Sequence, residues 1–399
     1  MDKKAQSTFA KIDPAAQAAA GKPAVAPPQE RAMTAPEAAA TAEVTQGDSR
    51  PLPPHDPVLQ ARIAAILASG EKPTLKTISQ LSGLAVPTVS RALNDAPDIG
   101  ADTKKLVRRL SDAVGYVPNR AGVRLRTGRT NVIALCISTE HDNQTGRLIG
   151  AVARALRGTP YHIIVMPYFV SEDPLKMIRY SVETGSADAV IFNQTTPQDA
   201  RVRYLRERNF PFATHGRTDW SDSHPWFDFD NTAFGEIAVK KLARKGCRNL
   251  LMVAPPLEQN YAFNTVDGAQ RTAIATGLKL TRLKTATSDD PGDVIRQAVA
   301  AHLRQHPEVD GILCSSATAT MAAVGGLESV GRKLGVDIEV FAKGAVSFLK
   351  LFRPQISVIE EDLQRAGEFL ARAAMQAIRD PQAPPLQMLD VPVDNGLDD

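Results

Sequence analysis

TLKTISQLSGLAVPTVSRALN, Thr74 to Asn94, is the stretch on which the reading of the fold turns. Leu75, Ile78 and Leu81 recur at helical spacing, and Thr74 stands where a hydroxyl can cap the first turn. Gly83 falls at the corner, where a residue without Cβ strain is needed. Leu84 fills the turn, and Val89, Ala92 and Leu93 pack a second helix back on the first. A third helix is expected to follow, with Asp102 or Thr103 as its cap, Leu106, Val107, Leu110 and Val114 inward, and Gly115 closing it. This is the spacing of a helix-turn-helix. With those positions buried, the second helix projects Val86, Pro87, Thr88, Ser90 and Arg91. Arg91 suits a bidentate guanine contact; Val86 and Pro87 suit thymine methyls or shape; Thr88, Ser90 and Asn94 suit phosphates, and Thr74 is counted among the DNA-binding residues. The alternative is a small helical bundle with a solvated Arg91.

Charge supports the first reading. Residues 71–130 hold eleven basic and five acidic side chains, whereas residues 131–399 hold 29 against 32. A basic module on a mildly acidic body points to nucleic acid as the partner of that module alone. Upstream, residues 1–57 contain fifteen alanines and nine prolines, a composition unable to bury enough surface to offset chain entropy, so a disordered tail is expected. VLQARIAAILAS, residues 58–69, has helical spacing and predicts one extra helix ending at Gly70.

From residue 131 onward the pattern changes. Apolar runs at 131–137, 161–166, 187–192, 210–214, 248–254, 309–315, 337–341 and 355–359 alternate with amphipathic stretches such as GEIAVKKLARKG and RAGEFLARAAMQAI. The alternation predicts an α/β body of doubly wound parallel sheets, long enough for two lobes. Ligands of such sheets bind at the carboxyl ends of the strands. The cysteines, Cys136, Cys247 and Cys314, are too few and scattered for a disulfide framework. No run is long and apolar enough for a membrane span or secretory signal, so a cytoplasmic, nucleoid-associated protein is expected.

The block from Thr74 through GYVPNRAGVRLRTGRTNVIAL resembles the DNA-binding headpiece and hinge of the LacI/GalR family of repressors, in the turn glycine, the TVSRALN run, GYVPN and the hinge leucine. The resemblance implies a headpiece at 71–117, a hinge helix at 118–130 that orders on operator DNA, and a periplasmic-binding-protein-like effector domain at 131–385, followed by a C-terminal strand and tail at 386–399. It implies that Leu125 is the wedge in the minor groove, with Asn119, Arg120 and Arg124 beside it. The residues agree, because 115–130 carry Arg120, Arg124, Arg126 and Arg129 without an acid. Two departures stand out. Ala85 replaces the family's frequent capping serine, and Gly122 weakens the hinge helix by up to about 1 kcal/mol relative to alanine.

The resemblance places the effector between lobes that cross over near Asp228–Asn231 and near Pro354–Val358. Lobe one would comprise about 131–228 plus 355–380, and lobe two 229–354. Candidate effector contacts are Glu140, Asp142, Asn193 and Arg217 at strand ends, with Trp226, Tyr261 and Asn264 supplying stacking faces and amides. Thr265 and Ala317 stand where better-known members carry an arginine and an aspartate, so their carbohydrate contacts do not transfer. The expected effector is a sugar or sugar-like metabolite, the expected assembly a homodimer on palindromic double-stranded DNA, with no cofactor and no metal. His302 and His306 have metal-capable spacing, but no third ligand is suggested nearby. No G-x-S-x-G elbow, P-loop or Cys–Cys pair supports an enzyme. The remaining alternative is a cytoplasmic sugar-binding protein without a DNA role.

Overall fold

The structure, a computed structural model, describes residues 56–117, 124, 128–138, 144–169, 172–344 and 348–394. The chain divides into two compact units, one ending at Tyr116 and the other beginning at Val117.

The first unit is all helical: α1 (Pro57–Ser69), α2 (Leu75–Ser82), α3 (Val86–Leu93) and α4 (Ala101–Val114). Thr74 caps α2 reciprocally with Thr77, its Oγ1 accepting from Thr77 N at 3.3 Å while its own N–H donates to Thr77 Oγ1 at 3.0 Å. Gly83 is left-handed at φ 71° and its N–H donates to Ser79 O at 3.0 Å, turning the chain into α3. As expected from Ala85, α3 has no side-chain cap. The cap expected for α4 at Asp102 or Thr103 is not used; the helix opens at Ala101 behind Gly100, which offers no side chain. Ile78, Leu81, Val89, Ala92, Val107, Leu110 and Val114 form the core. The extra helix α1 adds to it. Asp56 caps α1, and Leu59, Ile63 and Ile66 pack against the same core, while Arg62 Nη2 donates to Gln80 O at 2.8 Å.

The second unit alternates strand and helix: β1 (Val132–Ser138), α5 (Gln144–Ala155), β2 (His162–Tyr168), α6 (Leu175–Glu183), β3 (Ala189–Phe192), α7 (Ala200–Glu207), β4 (Phe212–His215) and β5 (Trp226–Phe229). Then come α8 (Asn231–Arg244), β6 (Asn249–Val253), α9 (Asn260–Thr276), β7 (Lys279–Arg282), α10 (Gly292–Gln305), β8 (Gly311–Cys314), α11 (Ala317–Ser329) and β9 (Glu339–Gly344). The chain ends with α12 (Phe348–Phe352), β10 (Ser357–Glu360), α13 (Leu363–Arg379) and β11 (Gln387–Asp390). Two all-parallel sheets result, ordered β11-β5-β4-β3-β1-β2 and β10-β9-β8-β6-β7. Helices cover both faces of each, so central strands are apolar throughout; every residue of β1 is buried.

The chain crosses between lobes at Asp230, then returns. The return was expected near Pro354–Val358, but Ser357–Glu360 pairs with β9 in the second sheet, Ser357 opposite Phe341, so the crossing falls at Glu361–Asp362. An apolar run identifies a strand but not the sheet it joins. β11 then pairs with β5 and closes the first sheet. β5 and β7, four residues each, were not among the expected strands. Half-buried Asp188 ties the chain entering β1, accepting from Thr130 N and Asn131 N at 2.8 Å each.

All three cysteines are free and buried, and burial pushes the thiols of Cys136 and Cys314 up to about 12. They behave as small core hydrophobes. No helix among the described residues is long and apolar enough to cross a membrane.

In lobe two, α8 and α9 meet backbone to backbone. A Cβ on Gly268 would lie 2.2 Å from Thr232 O, and one on Gly235 would lie 2.4 Å from Thr265 O. Gly268→Ala should therefore destabilise the body by about 1–3 kcal/mol or more through overpacking, read as a lowered urea midpoint at constant slope.

Candidate functional site

Two places carry chemistry. In the helical unit, α3 is buried through Val89 and Ala92 and exposes Val86, Pro87 and Arg91, with Thr88 and Ser90 half-buried at its flank. Thr74, exposed, is already engaged with Thr77, and the Asn94 amide turns back on Ser90 O as it ends the helix. Arg91 is paired with Asp98 from the loop that follows. Of the hinge candidates, Asn119, Arg120 and Leu125 lie outside the described residues. Arg124 is described, and its Nη2 donates to Thr184 O at 2.9 Å, so in this arrangement it is held by the loop after α6.

The second place is a cleft between the lobes of the body, with about 1030 Å³ of empty space including its open mouth. Asn193, Gln194 and Thr195 after β3, and His215 and Gly216 at the end of β4, form one wall. Tyr261 of α9, Ser288–Asp290, and Ser315, Ser316 and Thr318 after β8 form the other. These lie at carboxyl ends of parallel strands, where doubly wound sheets bind ligands.

The two crossings and the ends of β4 and β9 put a chain of buried polar groups at the cleft floor. Lys343 Nζ lies 2.7 Å from Glu361 Oε2 and donates to Asn231 Oδ1 at 3.1 Å. The other carboxylate oxygen, Glu361 Oε1, lies 2.8 Å from His215 Nε2. Lys343 also sits over the Phe229 ring at 4.4 Å. His215 belongs to lobe one, Lys343 to lobe two, and Asn231 and Glu361 to the crossings, so this chain joins the lobes. Burial opposes ionisation of Glu361, but Lys343 and His215 outweigh it and hold the carboxyl well below the usual carboxylate range. Asp228 behaves in the opposite sense. Burial raises its carboxyl although Arg217 Nε lies 2.7 Å from Oδ2.

A contact also closes the lip. Asn260, first residue of α9 in lobe two, donates its backbone N–H to Thr195 O and its amide to Arg217 O, both at 2.9 Å and both in lobe one. The lobe-one loop that receives it is fixed from behind by the buried Arg201–Asp199 pair, Arg201 Nη2 donating to Gln194 O at 2.9 Å.

Among the sequence candidates, Asn193 and Tyr261 line the cleft. Arg217, Trp226 and Asn264 do not. Arg217 backs Asp228, and the Trp226 indole donates to Ser221 O at 3.0 Å, with its ring 5.7 Å from the Arg217 guanidinium. Glu140 and Asp142 lie outside the described residues. His215, Asn231, Lys343 and Glu361 were not anticipated. His302 of α10 and His306, which follows its end, lie with ring centroids 4.4 Å apart and tilted, and among the described residues no group of three His, Cys, Asp or Glu could hold a metal ion.

Residues 146–382 match the family described as periplasmic binding proteins and sugar binding domain of LacI family. The chain belongs to the LacI family. It is 27% identical over 317 residues to the HTH-type transcriptional regulator AglR of Rhizobium meliloti (strain 1021), covering 76% of this chain and 87% of the relative. It is 31% identical over 210 residues to the regulator RafR of Escherichia coli, covering 52% and 62%. In fold it is similar to the lac repressor dimer bound to operator and the anti-inducer ONPF, with TM-score 0.71 at 18% identity over 81% of this chain and 97% of that one. The CelR–cellobiose complex matches with TM-score 0.59 at 21% identity over 81% and 98%. These relatives are regulators of transcription, not enzymes. The cleft-floor charges of this chain lie on His215, Lys343 and Glu361.

Two expectations test that floor. Glu361→Ala leaves the Lys343 ammonium buried without its carboxylate and should destabilise by about 3–5 kcal/mol. Because the folded carboxyl titrates below the unfolded one, its stabilisation is complete above the ordinary glutamate range and is lost as pH falls below it. Melting temperature of the wild type should therefore fall as pH drops below about 4.3 more steeply than that of Glu361→Gln. Parallel pH profiles would contradict this.

Proposed function

We propose that this chain is a ligand-responsive, sequence-specific DNA-binding regulator of transcription, acting in the cytoplasm on chromosomal DNA as a homodimer and controlled by a neutral saccharide. The headpiece argues for DNA: a helix-turn-helix exposes Val86, Pro87 and Arg91 on a segment with a net basic charge. It disfavours the alternative of a sugar-binding protein without a DNA role. Arg91 contacts a base edge, and Thr88 and Ser90 contact phosphates. The hinge, with Asn119, Arg120, Arg124 and Leu125, enters the minor groove when DNA is bound. Arg124 must then leave Thr184.

One observation carries the ligand reading. Asn193 Oδ1 from lobe one and Ser315 Oγ from lobe two are buried at the cleft with no hydrogen-bond partner among the described residues. A buried polar atom left unpaired costs about 1–3 kcal/mol, and a polyhydroxylated ligand spanning the cleft supplies partners to both. Tyr261 and Phe229 add ring surface. The charge of the lining selects against anions: among the described residues, Asp228, Asp289, Asp290 and Glu361 face Lys343 and His215 as the basic groups of the cleft, and both of those already engage Glu361. A phosphorylated sugar or sugar acid would enter an acidic cleft with no unpaired cation. A saccharide that spans both walls, as in the class of the cellobiose bound by CelR, is the kind of ligand this lining suits.

The ligand acts by linkage. It favours one angle between the lobes, the angle sets the separation of paired hinges, and such coupling is typically about 1–3 kcal/mol. The Asn260 contact with Thr195 and Arg217 is the element that opening must break.

A thermal-shift screen of the full chain against neutral mono- and disaccharides and their phosphates tests the ligand reading. At least one neutral saccharide should raise the melting temperature, Asn193→Ala should weaken that response about tenfold or more in apparent Kd, and the phosphorylated counterpart should give no shift. Stabilisation by the phosphates alone would contradict it.

A further inference from the structure

The recognition arginine is not free in the DNA-less chain. Arg91 lies in the last turn of α3, and its Nη2 is paired with Asp98 Oδ2, a residue of the loop between α3 and α4. Both side chains are about half exposed, at 57% and 46%, so the pair faces solvent on the side where DNA is read. In water such a pair adds little to stability. Its value must therefore be sought in geometry.

The loop that presents Asp98 is anchored on both sides. Ala96 N donates to Arg91 O at 3.0 Å, and Ile99 N donates to Ala96 O at 3.2 Å. Asp95 is paired with Arg108 of α4, its carbonyl accepts from Lys104 Nζ at 3.2 Å, and Ile99 packs into the headpiece core. The carboxylate of Asp98 thus sits on a fixed platform and holds one edge of an otherwise flexible guanidinium.

We propose that Asp98 is a positioning and specificity-determining residue for DNA reading, holding Arg91 in the orientation that meets guanine. This rests on α3 being the DNA-reading helix. Arg91 offers five N–H donors in a planar fork. Engaging Nη2 with a carboxylate leaves Nη1 and Nε, together with the second hydrogen of Nη2, directed away from Asp98, and fixes the plane of the fork. The guanine O6 and N7 acceptors demand such a plane for a bidentate contact. The side-chain ordering that this contact requires is partly complete before DNA arrives. Asp98 acts a second way. Its negative charge stands close to where phosphates approach, so a duplex that does not satisfy Arg91 meets an unfavourable acid in an otherwise basic module. Both effects sharpen the choice of base rather than raise affinity.

The test is selection of the full-length protein on a random-sequence double-stranded DNA library, with base preference read at each position. Four variants accompany the wild type. Arg91→Ala should erase a guanine preference at one base pair of each half-site. Asp98→Asn should reduce preference at that same base pair several-fold, out of the roughly 5–150-fold a bidentate contact supplies, while other positions keep theirs. Asp98→Glu should keep part of the preference, and Asp112→Asn, which removes an equal charge from the exposed face of α4, should keep all of it. A wild-type profile for Asp98→Asn beside a lost preference for Arg91→Ala overturns the proposal and leaves DNA reading by α3 intact. A uniform loss at every position, tracking a lower melting temperature, also overturns it, since a merely structural role does that. An unchanged profile for Arg91→Ala would remove both the assignment of α3 and the proposal built on it.

Discussion

The ion chain His215–Glu361–Lys343–Asn231 joins the two lobes of the body. Its four members come from lobe one, the return crossing, lobe two and the outgoing crossing. An isolated carboxylate or ammonium in that position would be prohibitively costly to desolvate. Together, at 2.7–3.1 Å, each supplies what the other needs. Such a chain is no strong source of net stability, because apolar residues of similar volume often do as well. It fixes geometry instead. The lobes pivot about a floor whose polar groups must stay paired, and at the opposite lip Asn260 makes contacts that can be broken at much smaller cost.

That contrast organises the proposed function. In the proposed function the floor that joins the lobes serves as the pivot and the lip as the contact that opens, so that a ligand can shift an equilibrium rather than merely bind. Asn193 Oδ1 and Ser315 Oγ have no hydrogen-bond partner among the described residues where the lobes face each other, so in the proposed function a ligand reaching both gains more in one lobe arrangement than another. Asp188 fixes the chain just before β1 through Thr130 and Asn131, and the proposed linkage to DNA passes along that stretch. The headpiece has its own version of this economy, with Asp98 holding Arg91 so that little remains to be ordered on DNA.

Much of the architecture is legible in the sequence, because its signals are local. The cap at Thr74, the corner at Gly83 and the apolar spacing through Val114 each act within a few residues, and the buried strands declare themselves as runs such as NVIALCIS and DGILC. The reading fails where information is not local. SVIE at 357–360 is an evident strand, but which sheet it joins depends on β9. WFDF is too short, and KLTR too short and too polar, to stand out. The site divides the same way. Asn193 and Tyr261 follow from their places at element ends, whereas His215 and Glu361 gain meaning only from each other across 146 positions of chain. Trp226 and Arg217 looked like ligand contacts because an aromatic and an arginine near a strand end usually invite that reading; here they serve Ser221 and Asp228.

The central claim is a coupling of two binding events, and thermodynamic reciprocity tests it directly. The affinity of the full chain for a duplex recovered by selection should be measured with and without the stabilising saccharide, and the affinity for the saccharide with and without the duplex. The account predicts that both ratios are equal and lie in the range of about 5–150-fold. Two ratios of one, with both ligands still bound, would contradict it.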